Sequence, residues 1–298
     1  MNIKTFEELL STVKTRGLDI PSFVQKVEAE FLEIPVSVFR QRILKIYNIM
    51  KAAVNSGLSS NELSKSGLSG ENTAILKACA EGAGEKHFSL FSPFQKKVML
   101  YSLSVIEENA RMGKIAACPT AGSSGIVPGV LIALEEELKL DEDTMINALI
   151  VAGIVGEIVS EKMALAGAVA GCQAECGVAS AMAASSAAYI LGGSGEQILN
   201  AAALVLKNIL GLTCDPVAGL VEVPCVKRNV FLSIHALTAA ELSLSGIESK
   251  IPVDEIVDAM KETGDLMSTR LKESSEAGLA KTGTGVMIEN VLRQKFCE

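Results

Sequence analysis

Apolar residues in the first third of the chain recur at intervals of three to five, the period of a helix with one buried face. Val38, Ile43, Ile46, Ile49 and Val54 follow it and predict a helix from about Ser37 through Val54, ending near Gly57. Thr5 with Glu8, and Ser22 with Gln25, have the spacing of capping boxes and mark two earlier helix starts. Ser and Gly dominate from Ser56 to Gly70, which reads as a loop or hinge. Ser92-Pro93 then supplies an N-cap and a first-turn proline for a helix reaching about Met112. From Gly113 to Gly195 small residues fill most positions, and no stretch alternates apolar and polar as a strand does. The pattern predicts an all-α fold: a single domain, 1–298, with a helical cap over roughly 1–112 and a closely packed core over roughly 113–298.

Composition agrees with this picture and narrows the partners. Hydrophobic residues make up 49% of the 298 positions and aromatics only 4%, with no Trp, so the core is built from Ala, Val, Ile, Leu and Met. The net charge of −8 and the lack of a basic stripe argue against nucleic acid. The first ten residues lack the basic start and apolar run of a signal peptide. Two uncharged stretches have the length of a membrane span, Ile115 to Leu134 and Cys176 to Gly195. The first contains two prolines and several glycines and the second is mostly Ala, Ser and Gly, so both are expected as buried helices and no membrane is expected as partner. Seven cysteines, an odd number, fit reduced thiols or metal ligands in a cytoplasmic protein better than a disulfide framework.

Candidate chemistry begins with Cys118-Pro119-Thr120-Ala121-Gly122-Ser123-Ser124-Gly125, just before an apolar helical run from Ile126 to Leu134. Hydroxyls and free N–H groups at a helix start suit a carboxylate or phosphate, although Gly/Ser clusters are also ordinary turns. No Gly-Lys-Ser/Thr follows, so it is not a P-loop. Three cysteines lie in irregular surroundings: Cys172 after Gly171, Cys214 before Asp215-Pro216, and Cys225 after Pro224. Zinc favours closely spaced cysteine pairs, which only Cys172 and Cys176 approach, whereas an iron–sulfur cluster accepts scattered thiolates. Cys176, Cys79 and Cys118 read as buried structural thiols, His235 as a satisfied buried histidine and His87 as solvated. Gly192-Gly193-Ser194-Gly195 reads as a helix-ending turn.

Taken together, Gly171-Cys172-Gln173, Leu212-Thr213-Cys214-Asp215-Pro216-Val217-Ala218-Gly219 and Val223-Pro224-Cys225 resemble the cluster-binding motifs of the iron–sulfur-dependent L-serine dehydratases. Pro119-Thr120-Ala121-Gly122-Ser123, Ser64-Lys65-Ser66-Gly67-Leu68 and Gly278-Leu279-Ala280-Lys281-Thr282 extend the resemblance over nearly the whole chain, closest to the α subunit of the two-subunit form. The last segment has Ala277 where that family has a second glycine, and no role is assigned to it.

The resemblance implies a [4Fe–4S] cluster on Cys172, Cys214 and Cys225 with one iron open, which acts as a Lewis acid on the hydroxyl of L-serine. The products are then pyruvate and ammonia. It also implies a substrate carboxylate on Thr120, Ala121, Gly122, Ser123 and Ser124, with Lys65 and Ser66 as further contacts. Cys297, next to the last residue, would fold back as a temporary fourth ligand that shields the open iron. Single-chain members carry an additional domain with a Ser/His motif that has no counterpart around His87 or His235. A β subunit is therefore the expected partner and source of the α-proton base, with self-association of the free chain through the surface that the β subunit would cover. Three other readings compete: a related elimination of sulfide from cysteine, a zinc-stabilised structural protein, and a pyridoxal-phosphate dehydratase using Lys65.

Overall fold

The computed structural model describes residues 3–80 and 90–297, the side chains of residues 80 and 297 excepted. His87 lies outside the described residues, as does the side chain of Cys297. Among the described residues there is no strand, only an isolated bridge between Cys214 and Lys272, so the all-α expectation holds.

Helix α1 (Phe6–Arg16) starts where expected, with the Thr5 hydroxyl accepting the Glu8 amide at 3.1 Å. Helix α2 (Ile20–Phe31) begins earlier than the Ser22/Gln25 pair predicts. Asp19 caps it by accepting the Ser22 amide at 2.8 Å, and Pro21, which needs no acceptor, occupies the first turn. Helix α3 (Val36–Ser59) runs through Gly57 instead of stopping there. That glycine is buried against α5 (Pro93–Ala110), where a Cβ would collide with the backbone of Ser104, so its smallness serves close helix packing. The polar loop accordingly starts at Ser60 and leads to α4 (Asn72–Ala80). The predicted N-cap Ser92 and first-turn Pro93 open α5, where Gln95 completes a capping box, and the helix ends at Ala110 because Met112 takes a left-handed conformation, φ 66°.

Helices α6 (Ile126–Leu138), α7 (Glu142–Lys162), the short α8 (Gly167–Ala170), α9 (Cys172–Ile190), α10 (Gly195–Lys207) and α11 (Cys225–Leu244) build the centre. Helix α9 is its axis, surrounded by α6, α7, α10 and α11. Its alanines are fully buried, and its buried serines meet partner carbonyls: Ser180 donates to Leu232, Ser185 to Ile198 and Ser186 to Ala148. Small side chains thus bring the backbones close enough for hydroxyls to bond across helices, which explains Ser in an otherwise apolar helix. Gly192 turns the chain after α9, as the sequence suggested, and Ser194 then caps α10 with a capping box.

Of the two uncharged stretches, Ile115 to Leu134 is helical only from Ile126, and Cys176 to Gly195 lies mostly in α9. Among the described residues one helix is long and apolar enough to cross a membrane, α7, and 67% of the relevant window is buried within the protein. Neither uncharged stretch includes it. Helices α12 (Val253–Leu266) and α13 (Gly283–Cys297) complete the chain, with short 3-10 turns at Thr269–Leu271 and Gly278–Lys281 between them. The buried core is continuous from Ile3 to Met260.

Candidate active site

The loop before α6 is held from several sides. Asn229, in the second turn of α11, accepts the Gly125 amide at 3.0 Å and donates to the carbonyls of Gly122 at 2.8 Å and Cys225 at 3.0 Å. The Thr120 hydroxyl donates to Glu175 Oε1 and lies 3.1 Å from the Ser123 hydroxyl. Ser123 in turn donates to the Cys118 carbonyl at 3.2 Å. Gly122, Ser123 and Ser124 are buried and Ala121 is exposed. The amides of Ala121, Gly122 and Ser123 have no acceptor among the described residues, and the buried Ser124 hydroxyl has no partner there either. Consecutive unpaired N–H groups before a long helix are the elements of an anion site.

Cys172, Cys214 and Cys225 come from three segments of different kind. Cys172 is the first residue of α9, Cys225 the first of α11, and Cys214 lies in the irregular chain between α10 and α11. All three are buried. They lie within electrostatic reach of one another: burial, then the charge of Cys172, pushes the Cys225 thiol up to about 12 and raises the Cys214 thiol further. Cys172 itself is held below its ordinary range, first by a hydrogen bond from the Cys176 thiol and then, against its burial, by the charge of Arg228. Cys176, one turn along α9, is correspondingly raised and lies 4.0 Å from the Gly122 carbonyl.

Among the described residues no three His, Cys, Asp or Glu side chains are gathered tightly enough to hold a single metal ion. The donor set is nonetheless all sulfur, from three separate segments within electrostatic reach of one another, with the Arg228 guanidinium acting on Cys172 and Cys225. This is the chemistry that suits an iron–sulfur cluster, whose thiolates sit at different corners of one body.

The Ser64–Gly70 loop folds onto a carboxylate that the sequence did not single out. Buried Glu222 accepts the hydroxyls of Ser64 at 2.6 Å, Ser66 at 2.7 Å and Ser69. Ser66 is thereby engaged, whereas the Lys65 side chain is exposed. Val221, next to Glu222, stands against Gly122, so the 221–222 turn lies between this loop and the one before α6. At the other end of the chain, Lys295 Nζ donates to the carbonyls of Lys65 and Ser66 at 3.2 and 3.4 Å. The end of α13 and the backbone of Cys297 therefore sit close to the serine loop.

Glu175 was also missed by sequence reading. It lies one turn into α9, bonded by Thr120, and a Cβ on Gly167 would meet both its Oε2 and Cys214 Sγ at 2.9 Å. Burial, reinforced by Glu273, raises its carboxyl above the usual range despite the Thr120 bond. Its position three residues after Cys172 is the signal that could have found it, since that spacing puts both near one helix end. Cys118 is buried as expected, its thiol pushed to about 12 by burial, whereas Cys79 is exposed on α4 where a buried thiol was expected. His235 is half-buried and its Nε2 lies 3.3 Å from the Val205 carbonyl.

The sequence model of the family described as "Serine dehydratase alpha chain" matches residues 15–280. The chain is 41% identical over 286 residues to the "Probable L-serine dehydratase, alpha chain" of Bacillus subtilis (strain 168), covering 96% of this chain and 94% of that protein. It is 37% identical over 286 residues to the "L-serine dehydratase, alpha chain" of Peptoniphilus asaccharolyticus, covering 96% and 97%. The "L-serine dehydratase" of Streptomyces coelicolor is 36% identical over 283 residues, but the match covers 93% of this chain and only 60% of that protein. With a family match across most of its length and near-full-length relatives above 30% identity, the chain belongs to the serine dehydratase alpha chain family, a family of carbon–nitrogen lyases.

Proposed function

We propose that this chain is the cluster-bearing subunit of an L-serine ammonia-lyase that converts L-serine to pyruvate and ammonia. The observation that carries this reading is the convergence of Cys172, Cys214 and Cys225 from three segments beside the loop before α6. When bound, a [4Fe–4S] cluster on these thiolates would supply a Lewis-acidic iron for the departing hydroxyl. The amides of Ala121, Gly122 and Ser123 receive the substrate carboxylate, with Thr120 and Ser124 lining the same loop. Asn229 and Glu175 keep that loop in place. Lys65 offers a free charge for a further contact, and Ser66 acts by shaping its loop on Glu222. Cys297, two residues after Lys295, returns to the open iron as a temporary fourth ligand.

The α-proton base is assigned to a β subunit. Two relatives are called alpha chains, and the Streptomyces protein extends well beyond the matched region. A free chain would self-associate through the apolar surface that such a partner covers. A reducing cytoplasm suits cysteines that form no disulfide among the described residues. The test is anaerobic: about four iron and four sulfide per chain are expected, with pyruvate formed from serine only after the β chain is added. A chain without iron, pyruvate from cysteine in preference to serine, or full turnover by the isolated chain would each overturn the corresponding part.

A further inference from the structure

Arg228 stands three residues after Cys225, in the first turn of α11. Its Nη1 donates to the Thr213 carbonyl at 2.8 Å and its Nη2 to Asp215 Oδ1 at 2.8 Å. The two acceptors are the residues on either side of Cys214, so the planar fork of one guanidinium spans that cysteine. The positive charge of the same group acts on the Cys172 thiol at the start of α9. One side chain, rooted on the helix that begins with Cys225, thus bonds both neighbours of Cys214 and lies in electrostatic reach of Cys172. Arg228 and Asp215 are mostly buried, with side-chain exposures of 17% and 7%, so their bonds are shielded from competing water.

We infer that Arg228 is a positioning residue that sets Cys172, Cys214 and Cys225 relative to one another and supplies positive charge beside their thiolates. The inference rests on the cluster reading proposed above. Lysine cannot replace this function fully, because a single ammonium cannot bridge the Thr213 carbonyl and the Asp215 carboxylate with the same fixed geometry. It does keep the charge. Geometry and charge therefore separate in two substitutions.

The experiment uses the full chain, reconstituted anaerobically, as wild type, Arg228→Lys, Arg228→Gln and Asp215→Asn. Far-UV circular dichroism establishes folding. Iron and sulfide content, the rate of iron loss to a chelator, the electron paramagnetic resonance spectrum of the reduced cluster and its midpoint potential are then measured. For Arg228→Gln, iron loss should accelerate about tenfold or more, the size expected when charged hydrogen bonds are removed. Its potential should fall, because a nearby positive charge favours the reduced, more negative cluster. Arg228→Lys should lose iron faster than wild type while keeping a potential closer to it. Asp215→Asn should show the faster iron loss even if Arg228→Gln does not fold. Folded variants with wild-type iron retention, spectrum and potential would overturn the inference while leaving the cluster assignment standing. A wild-type chain that binds no iron would overturn both.

Discussion

Asp215 Oδ2 accepts the backbone amide of Leu279 at 2.9 Å, while its other oxygen accepts Arg228. The residue following Cys214 is thereby fastened to the segment that leads into the last helix. This gives a physical account of the Gly278-Leu279-Ala280-Lys281-Thr282 motif. Gly278 has φ 63°, and a Cβ there would meet Asp215 Oδ2 at 2.5 Å, so the position requires glycine twice over. Ala277 has φ −150°, ordinary extended backbone, which explains why the second glycine of the family pattern can be absent.

Gly278→Ala should therefore cost about 1–3 kcal/mol of stability from backbone strain alone, and more if the Asp215 bond is lost. Ala277→Gly should change stability little. Chemical denaturation of both variants checks the contrast, and equal stabilities would remove the steric account of this motif.

Asn229 joins α11 to the loop before α6 through two hydrogen bonds, to Gly122 and Gly125, and makes a third to Cys225 in its own helix. Asn229→Ala leaves buried backbone groups unpaired, at about 1–3 kcal/mol. Because the loop is the proposed carboxylate site, KM for serine should rise at least several-fold in the assembled enzyme while iron content stays at the wild-type level. A raised KM accompanied by proportional iron loss would place the effect at Cys225 instead.

The helical fold could be read from periodicity and caps because those signals are local: Thr5 and Ser92 each act on an amide three residues away. Where a second local signal competed, as Asp19 and Pro21 did with Ser22, the boundary shifted. The cysteines stood out by their glycine and proline neighbours. Glu222, Arg228 and Asn229 did not, because each looks like a surface residue of a helix or turn until the fold brings its partner near. Glu222 lies more than 150 positions from the serines it binds. Polar groups that link distant loops have no period and no spacing rule, so they become visible only in three dimensions.

Buried Glu107 provides a test of pH dependence away from the site. Its carboxylate accepts the amides of Gly70, Asn72 and Thr73, together with the Asn72 and Thr73 side chains, and anchors the start of α4. Burial alone would raise its pKa, but these bonds, led by the Thr73 hydroxyl, outweigh it and hold the carboxyl below its ordinary value. A carboxyl lowered on folding stabilises the native state fully above its unfolded pKa of about 4.3, and loses that contribution as pH falls through the folded value. Glu107→Gln should therefore be less stable than wild type at pH 7, by about 1–3 kcal/mol, with the gap narrowing once the pH drops below about 4. Denaturation curves at pH 7, 5, 4 and 3 measure it. A gap that does not change with pH would show that shape, not charge, anchors the helix.

Cys176 separates a ligand from its neighbour. Its thiol donates to the Gly122 carbonyl at 4.0 Å, and it shares α9 with Cys172 one turn earlier, so it stands between the cysteine group and the loop before α6. Its interaction with Cys172 supports that sulfur without Cys176 needing to bind iron itself. Cys176→Ala should consequently retain wild-type iron and sulfide, with a shifted electron paramagnetic resonance signal from the altered surroundings of Cys172. Cys172→Ser, Cys214→Ser and Cys225→Ser should each lose the cluster, whereas Cys118→Ser, a change at a buried thiol outside the group, should keep it. Iron lost from Cys176→Ala to the same extent as from Cys172→Ser would make Cys176 a ligand and require one of the other three to be withdrawn from the set.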